Sequence, residues 1–181
     1  MILFFGPAGS GKSAQAQLLV DNLGWKWLST GQLMRDSSDE GIHEFQRKGA
    51  LVPNEKVNEV LDKALTENAS VEKLILDGYP RQLDQAHWLM NECKKLNIPI
   101  KMAINFDVYM EELIKRMELR GRNDDTPESI NERLAIYHRE IDPILNLLSE
   151  NGTVVSHVDG VGSYEDIHAR VVKELATCKL V

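Results

Sequence analysis

Short apolar runs alternate with longer amphipathic stretches from one end of the chain to the other. Met1–Phe5, Trp25–Leu28, Lys73–Leu76, Lys101–Phe106 and Val154–Val158 are mostly apolar and too short for helices, so they predict strands, Met1–Phe5 a buried one. Between them, apolar residues recur three and four apart. That spacing predicts helices over Ser13–Asn22, Asn54–Glu67, Leu83–Leu96, Met110–Leu119, Pro127–Leu148 and Tyr164–Ala176. Strands alternating with helices of this length predict an α/β chain: a five-stranded parallel sheet with helices on both faces. Two places depart from simple alternation. Between the second and third strands, Gly31–Ala69 is largely helical and longer than a minimal crossover, so it reads as an insert over the carboxyl edge of the sheet. Residues 120–126, Arg-Gly-Arg-Asn-Asp-Asp-Thr, read as a polar hinge between two helices.

A length of 181 residues fits one domain, 1–181, with a sizeable core. No apolar run approaches the roughly 20 residues that cross a bilayer, and the start lacks a basic segment with a cleavage site. Cys93 and Cys178 lie far apart with no paired spacing, which argues against structural zinc and makes the reducing cytoplasm the expectation. The five histidines show no metal-ligand spacing. A net charge of −7 disfavours nucleic acid or an anionic membrane as partner. Against that acidic background Arg35, Arg81, Arg116, Arg120, Arg122 and Arg133 stand out, because planar cations suit a small polyanion. The acidic run Asp36–Glu40 reads as a solvated turn, and Trp25 and Trp27, at strand spacing, as packing on one face.

Gly6-Pro7-Ala8-Gly9-Ser10-Gly11-Lys12-Ser13 is a complete GxxxxGK[ST] phosphate loop between a predicted strand and a predicted helix. Its glycines let backbone N–H groups turn inward around a phosphate, and the helix start adds positive potential. Lys12 is placed to bridge the terminal phosphates and Ser13 to touch Mg²⁺ or a phosphate oxygen. Asp77, closing the strand Leu-Ile-Leu-Asp, is placed to hold Mg²⁺ through water.

Further segments now fall into one pattern. Ser29-Thr30-Gly31, Leu51-Val52-Pro53-Asn54-Glu55, Asp77-Gly78-Tyr79-Pro80-Arg81 and the run from Arg116 through Asp124-Asp125 to Arg133 resemble the motifs of the adenylate kinase family, in family order and over essentially the whole chain. The resemblance implies a P-loop core, reversible Mg-dependent transfer from ATP to AMP giving two ADP, an acceptor-binding insert over 30–70 and a vestigial lid at 120–126. It implies that Gly9, Ser10, Gly11, Lys12, Ser13 and Ala14 bind ATP, with Arg116 and Arg120 steadying it at the base of the lid. Thr30, Arg35, Val52, Val57, Gly78, Arg81 and Gln85 would bind AMP, Arg35 and Arg81 through its phosphate and Gln85 through the adenine edge. Lys12, Arg81, Arg122 and Arg133 would carry catalysis, the last two bridging donor and acceptor phosphates. Arg116 and Arg120 are i, i+4 and share a helix face, which fits a common task.

Departures from the family accompany the likeness. Ser13-Ala14-Gln15 follows Lys12 where Gly-Thr-Gln is usual, Gln32 stands where an acid is usual, and Tyr79 replaces a common Phe. Only Gly121 separates Arg120 from Arg122, so the lid gives the transferred group little cover. ATP hydrolysis without an acceptor, or cover from a second subunit, is the expectation; otherwise the chain reads as a monomer. A uridylate or cytidylate kinase is the rival, since in those relatives alanine often replaces the Thr30 position and asparagine the base-reading position. A non-catalytic nucleotide sensor would have no use for Arg81, Arg122 and Arg133.

Overall fold

A computed structural model describes residues 1–47, 52–120 and 127–181, apart from the side chains of Gln46, Arg120, residues 127–130, Glu132 and Arg133. The five strands are β1 (Ile2–Phe5), β2 (Lys26–Ser29), β3 (Leu74–Asp77), β4 (Met102–Asp107) and β5 (Val154–Asp159). They form one parallel sheet in the order β2-β3-β1-β4-β5. The helices are α1 (Lys12–Leu23), α2 (Thr30–Asp36), α3 (Glu40–Arg47), α4 (Asn54–Glu67), α5 (Leu83–Lys95), α6 (Met110–Arg120), α7 (Pro127–Glu150) and α8 (Tyr164–Thr177).

Period-two alternation within the apolar runs explains their unbroken hydrophobicity. On β1, Leu3 and Phe5 point into a core shared with α4, α5 and α7, while Ile2 and Phe4 point into one shared with α1 and α8. Leu74 and Leu76 on β3 face the first core and Ile75 the second; Phe4 and Phe106 meet edge to face in the second, centroids 5.1 Å apart. Trp25 and Trp27 both pack into this second core.

Chain direction switches beside β1. The crossover from β1 runs past β3 to β2, and the crossover from β3 runs back past β1 to β4, so the two leave on opposite faces. A crevice therefore opens at the carboxyl ends of β1 and β3, the place where ligands bind in open α/β sheets. Register brings Phe4 and Ser29 beside Asp77, and Phe5 beside Asn105. The loops that follow these residues gather at one edge.

The insert between β2 and β3 consists of α2, α3 and α4. It begins at Thr30, because the Ser29 hydroxyl accepts the Gln32 N–H and caps the helix. The acidic run Asp36–Glu40 is more than a solvated turn. Asp39 accepts the Gly41 N–H at 2.7 Å at the start of α3 and pairs with Lys56 on α4. The Lys56 ammonium, with the Gly41 amide, holds the Asp39 carboxyl below its ordinary value.

Candidate active site

The phosphate loop follows β1, whose four residues are buried, and its conformation depends on glycine. Gly6 has φ 148°, and a Cβ there would stand 2.6 Å from Ser10 Oγ. Gly9 has φ 85° and lies against Met117 and Leu113 of α6. The Lys12 ammonium lies across the loop and donates to the Gly6 carbonyl at 2.6 Å, the Pro7 carbonyl at 2.9 Å and Ser10 Oγ at 3.3 Å. Gly11 caps α1 with no side-chain hydrogen bond, and the first turn carries no acid. The first turn of α1 thus supplies no competing carboxylate of its own, and the helix dipole favours an anion.

Across the crevice, the Ser13 hydroxyl donates to Asp77 Oδ2 at 2.9 Å. Asp77 is buried at the end of β3. A hydroxyl and one carboxylate are hard oxygen donors of the kind Mg²⁺ takes while keeping several waters and substrate phosphates. Among the described residues no group of three or more His, Cys, Asp or Glu gathers as a metal cage.

The residues expected on the acceptor side gather around the continuation of the same strand. Gly78, at φ 85°, leaves a Cβ position 3.3 Å from Arg81 Nη2 and 3.9 Å from Thr30 Cβ. Arg81 Nε donates to the Gly78 carbonyl at 2.8 Å, and the Arg81 backbone N–H donates to Gln85 Oε1 at 2.8 Å. Desolvation in this crowded turn lowers the Arg81 pKa while Asp77 raises it; the side chain still opens to solvent, and an arginine stays cationic in proteins. Thr30 is buried and its Oγ1 has no hydrogen-bond partner among the described residues, so a ligand atom there would satisfy it. Arg35 is exposed on α2, its Nη2 donating to Gln32 Oε1 at 2.7 Å and its Nη1 lying over Gly31. Val52 and Val57 pack with the core of the insert.

Arg116 is brought to the phosphate loop. Its Nη1 lies 3.4 Å from the Gly9 carbonyl, Nη2 donates to the Gly160 carbonyl at 3.0 Å, and Nε pairs with Glu112 at 2.8 Å. Arg120 closes α6, but its side chain, those of Arg122 and Arg133, and the loop 121–126 lie outside the described residues.

The adenylate kinase profile matches residues 4–153 of this chain. The adenylate kinase of Mycolicibacterium vanbaalenii is 36% identical over 180 residues, covering 96% of this chain and 98% of the relative. That of Mycobacterium marinum is 34% identical over the same length, with the same coverage. The adenylate kinase of Thermus thermophilus is 33% identical over 180 residues, covering 94% of each chain. The chain belongs to the adenylate kinase family. It is a nucleoside monophosphate kinase, a transferase with a nucleotide-binding P-loop core. The uridylate or cytidylate reading is not favoured by these relatives, each of which is an adenylate kinase. No described helix is long and apolar enough to cross a membrane.

Within this adenylate kinase fold, two neighbours of the site, Glu112 and Gly160, lie outside the quoted motifs, and Asn54, inside one of them, makes a side-chain contact that the motif does not announce. Glu112 holds Arg116, and its i, i+4 spacing was a legible signal. Gly160, packed 3.3 Å from the Ser10 carbonyl at its Cβ position, supplies a carbonyl to Arg116. Asn54 accepts a hydrogen bond from Gln85 Nε2 across 31 positions of sequence, and no local pattern announces that contact.

Proposed function

We propose that this chain catalyses reversible Mg-dependent transfer of the terminal phosphoryl group of ATP to AMP, with the phosphate loop as donor site and the Thr30–Gly78–Arg81–Gln85 cluster as acceptor site. The observation that carries the reading is one short segment serving both halves. Asp77 meets Ser13 on the donor side, and Gly78, Arg81 and Gln85 follow it within hydrogen-bonding reach of one another. A ligand on each side of that segment would bring two phosphate chains together.

The acceptor oxygen is largely ionised at neutral pH, so the reaction requires no general base. What this chain's residues supply is alignment and charge neutralisation. The P-loop amides from Gly9 to Ala14 and the Lys12 ammonium would cradle the donor phosphates. Arg81 would hold the acceptor phosphate through a fork that lysine does not reproduce, with Arg35 assisting from α2. Ser13 and Asp77 would hold Mg²⁺, which when bound supplies positive charge to the phosphates. Thr30, Val52, Val57 and Gln85 would receive the acceptor base. Arg116 and Arg120 would steady ATP, and Arg122 and Arg133 would bridge the transferring group. Such an arginine is worth roughly 10³–10⁵ in rate in related phosphoryl transfers. Residues 30–70 would act as the acceptor-binding unit and 120–126 as a minimal lid, in a cytoplasmic setting.

The test is turnover of Mg-ATP with AMP, CMP, UMP, GMP or no acceptor, followed by separation of the nucleotides. ADP forms mainly with AMP, and Arg81→Ala lowers the rate by at least about a thousandfold. A preference for CMP or UMP defeats the assignment of the base. The arm without acceptor, repeated across protein concentrations, measures how much hydrolysis the short lid permits.

A further inference from the structure

The chain of side-chain amides at the foot of α4 has a direction. A backbone N–H only donates, so the Arg81 N–H fixes Gln85 Oε1 toward itself at 2.8 Å. Gln85 Nε2 then faces Asn54 Oδ1, also at 2.8 Å. Asn54 Nδ2 in turn donates to Gln82 Oε1 at 3.1 Å. Each amide orientation follows from the one before it, and the first follows from the backbone. One acceptor site and one N–H of Gln85 are used in this way. Among the described residues one acceptor site and one N–H remain, on a side chain that is 8% exposed.

That remaining pair matches adenine, whose Watson–Crick edge offers an acceptor at N1 and a donor at the 6-amino group. It does not match hypoxanthine, whose edge carries a donor at N1 and an acceptor at O6. We propose that Asn54 is a specificity-determining positioning residue: by accepting Gln85 Nε2 it adds a second tie to the one the Arg81 N–H supplies, and the two together hold the Gln85 amide in the orientation that reads an adenine acceptor and rejects a 6-oxopurine. The inference rests on the reading of Gln85 as the residue that meets the acceptor base. Asn54 belongs to α4 and Gln85 to α5, so the contact also registers the insert against the core. A second tie lies one turn along the same face of α4, where Tyr79 Oη donates to Asn58 Oδ1 at 2.6 Å. Among the described residues neither side chain hydrogen-bonds to Gln85, so the pair provides a control for helix docking alone.

The experiment compares kcat and KM for AMP and for inosine 5′-monophosphate in the unmutated protein and in Asn54→Leu, Asn54→Asp and Asn58→Leu, with thermal melting of each. Asn54→Leu raises KM for AMP about tenfold and lowers the preference for AMP over the inosine nucleotide about tenfold, the worth of one well-made hydrogen bond. Its kcat at saturating AMP and its KM for ATP stay within about twofold. Asn54→Asp keeps the acceptor oxygen and keeps the preference. Asn58→Leu lowers the melting temperature and leaves the preference unchanged. If Asn54→Leu does not fold, Asn54→Ser, too short to reach Gln85 and favourable at a helix start, takes its place. An unchanged preference in the Leu or Ser variant overturns the proposal, as does an equal loss in Asn54→Asp. Equal use of both nucleotides by the unmutated protein defeats the reading of Gln85 itself, and that failure is visible before any variant is made.

Discussion

Ser13 is the residue at which the phosphate loop and the strand leading to Gly78 and Arg81 touch. Its hydroxyl stands 2.9 Å from Asp77, although the two are 64 positions apart. The resemblance flagged this place as a departure, with a serine directly after the lysine and an alanine where a threonine is usual. The geometry gives the departure a physical sense, since a hydroxyl next to Lys12 is the one that reaches the buried acid. Ser13→Ala removes that oxygen without a change of shape that α1 would feel, its position being exposed. The Mg²⁺ concentration for half-maximal activity rises about tenfold, the lower end for loss of a group supporting a metal site. Titration of activity against Mg²⁺ at fixed ATP measures it, and an unchanged midpoint removes Ser13 from the metal's surroundings. Lys12, Thr30, Arg81 and Gln85 are legible as candidates because each sits inside or beside a motif whose chemistry is local. Asn54 as the partner of Gln85 was not, because that contact forms only when α4 docks on α5.

The starts of α8 and α1 are built differently. α8 begins with a full capping box, in which Ser163 Oγ accepts the Asp166 N–H at 3.1 Å and the Asp166 carboxylate accepts the Ser163 N–H and hydroxyl. α1 has no such closure, and its first turn has no acid. Ser163→Ala therefore costs about 1 kcal/mol of stability and leaves turnover unaffected. In a chain of this size that lowers Tm by about 2–4 °C, measured by thermal melting. Donation from Ser163 holds the Asp166 carboxyl below its ordinary 3.8. A depressed folded-state value contributes stability that is present above 3.8 and lost as pH falls through the lower folded value. The gap in stability between the two proteins accordingly narrows below that pH. Helices α4 to α8 were legible as elements because each repeats its apolar positions over several turns. In the sequence the short α2 and α3 show only as one helical insert. Their bounds depend on Ser29 as a cap and on Asp39 bridging to Lys56, contacts that periodicity does not encode.

At the scale of the whole molecule, the site lies where crossovers from β1 and β3 leave the sheet on opposite faces. Ligands on the two sides of Asp77 and Gly78 should then stabilise the fold together. A non-hydrolysable ATP analogue at about a hundred times its Kd adds about 2.7 kcal/mol by mass action. That corresponds to a rise in Tm of about 5–10 °C. AMP added with it raises Tm by more than the sum of the separate shifts, as measured by calorimetry; a merely additive rise would count against a shared site. The alternation of runs determined the class of this fold, because a strand buried on both faces must be apolar throughout and a helix on its surface must repeat every three to four residues. The phosphate loop was likewise settled locally, since Gly6, Gly9 and Gly11 take left-handed or otherwise glycine-favouring angles within a few residues of Lys12. Strand order and register were decided only by tertiary structure. They set Phe4 and Ser29 against Asp77 and so bring the loops after β1, β2 and β3 to one crevice. Which strands become neighbours depends on how helices cover both faces of the sheet, and that is a property of the packed whole that no segment holds by itself.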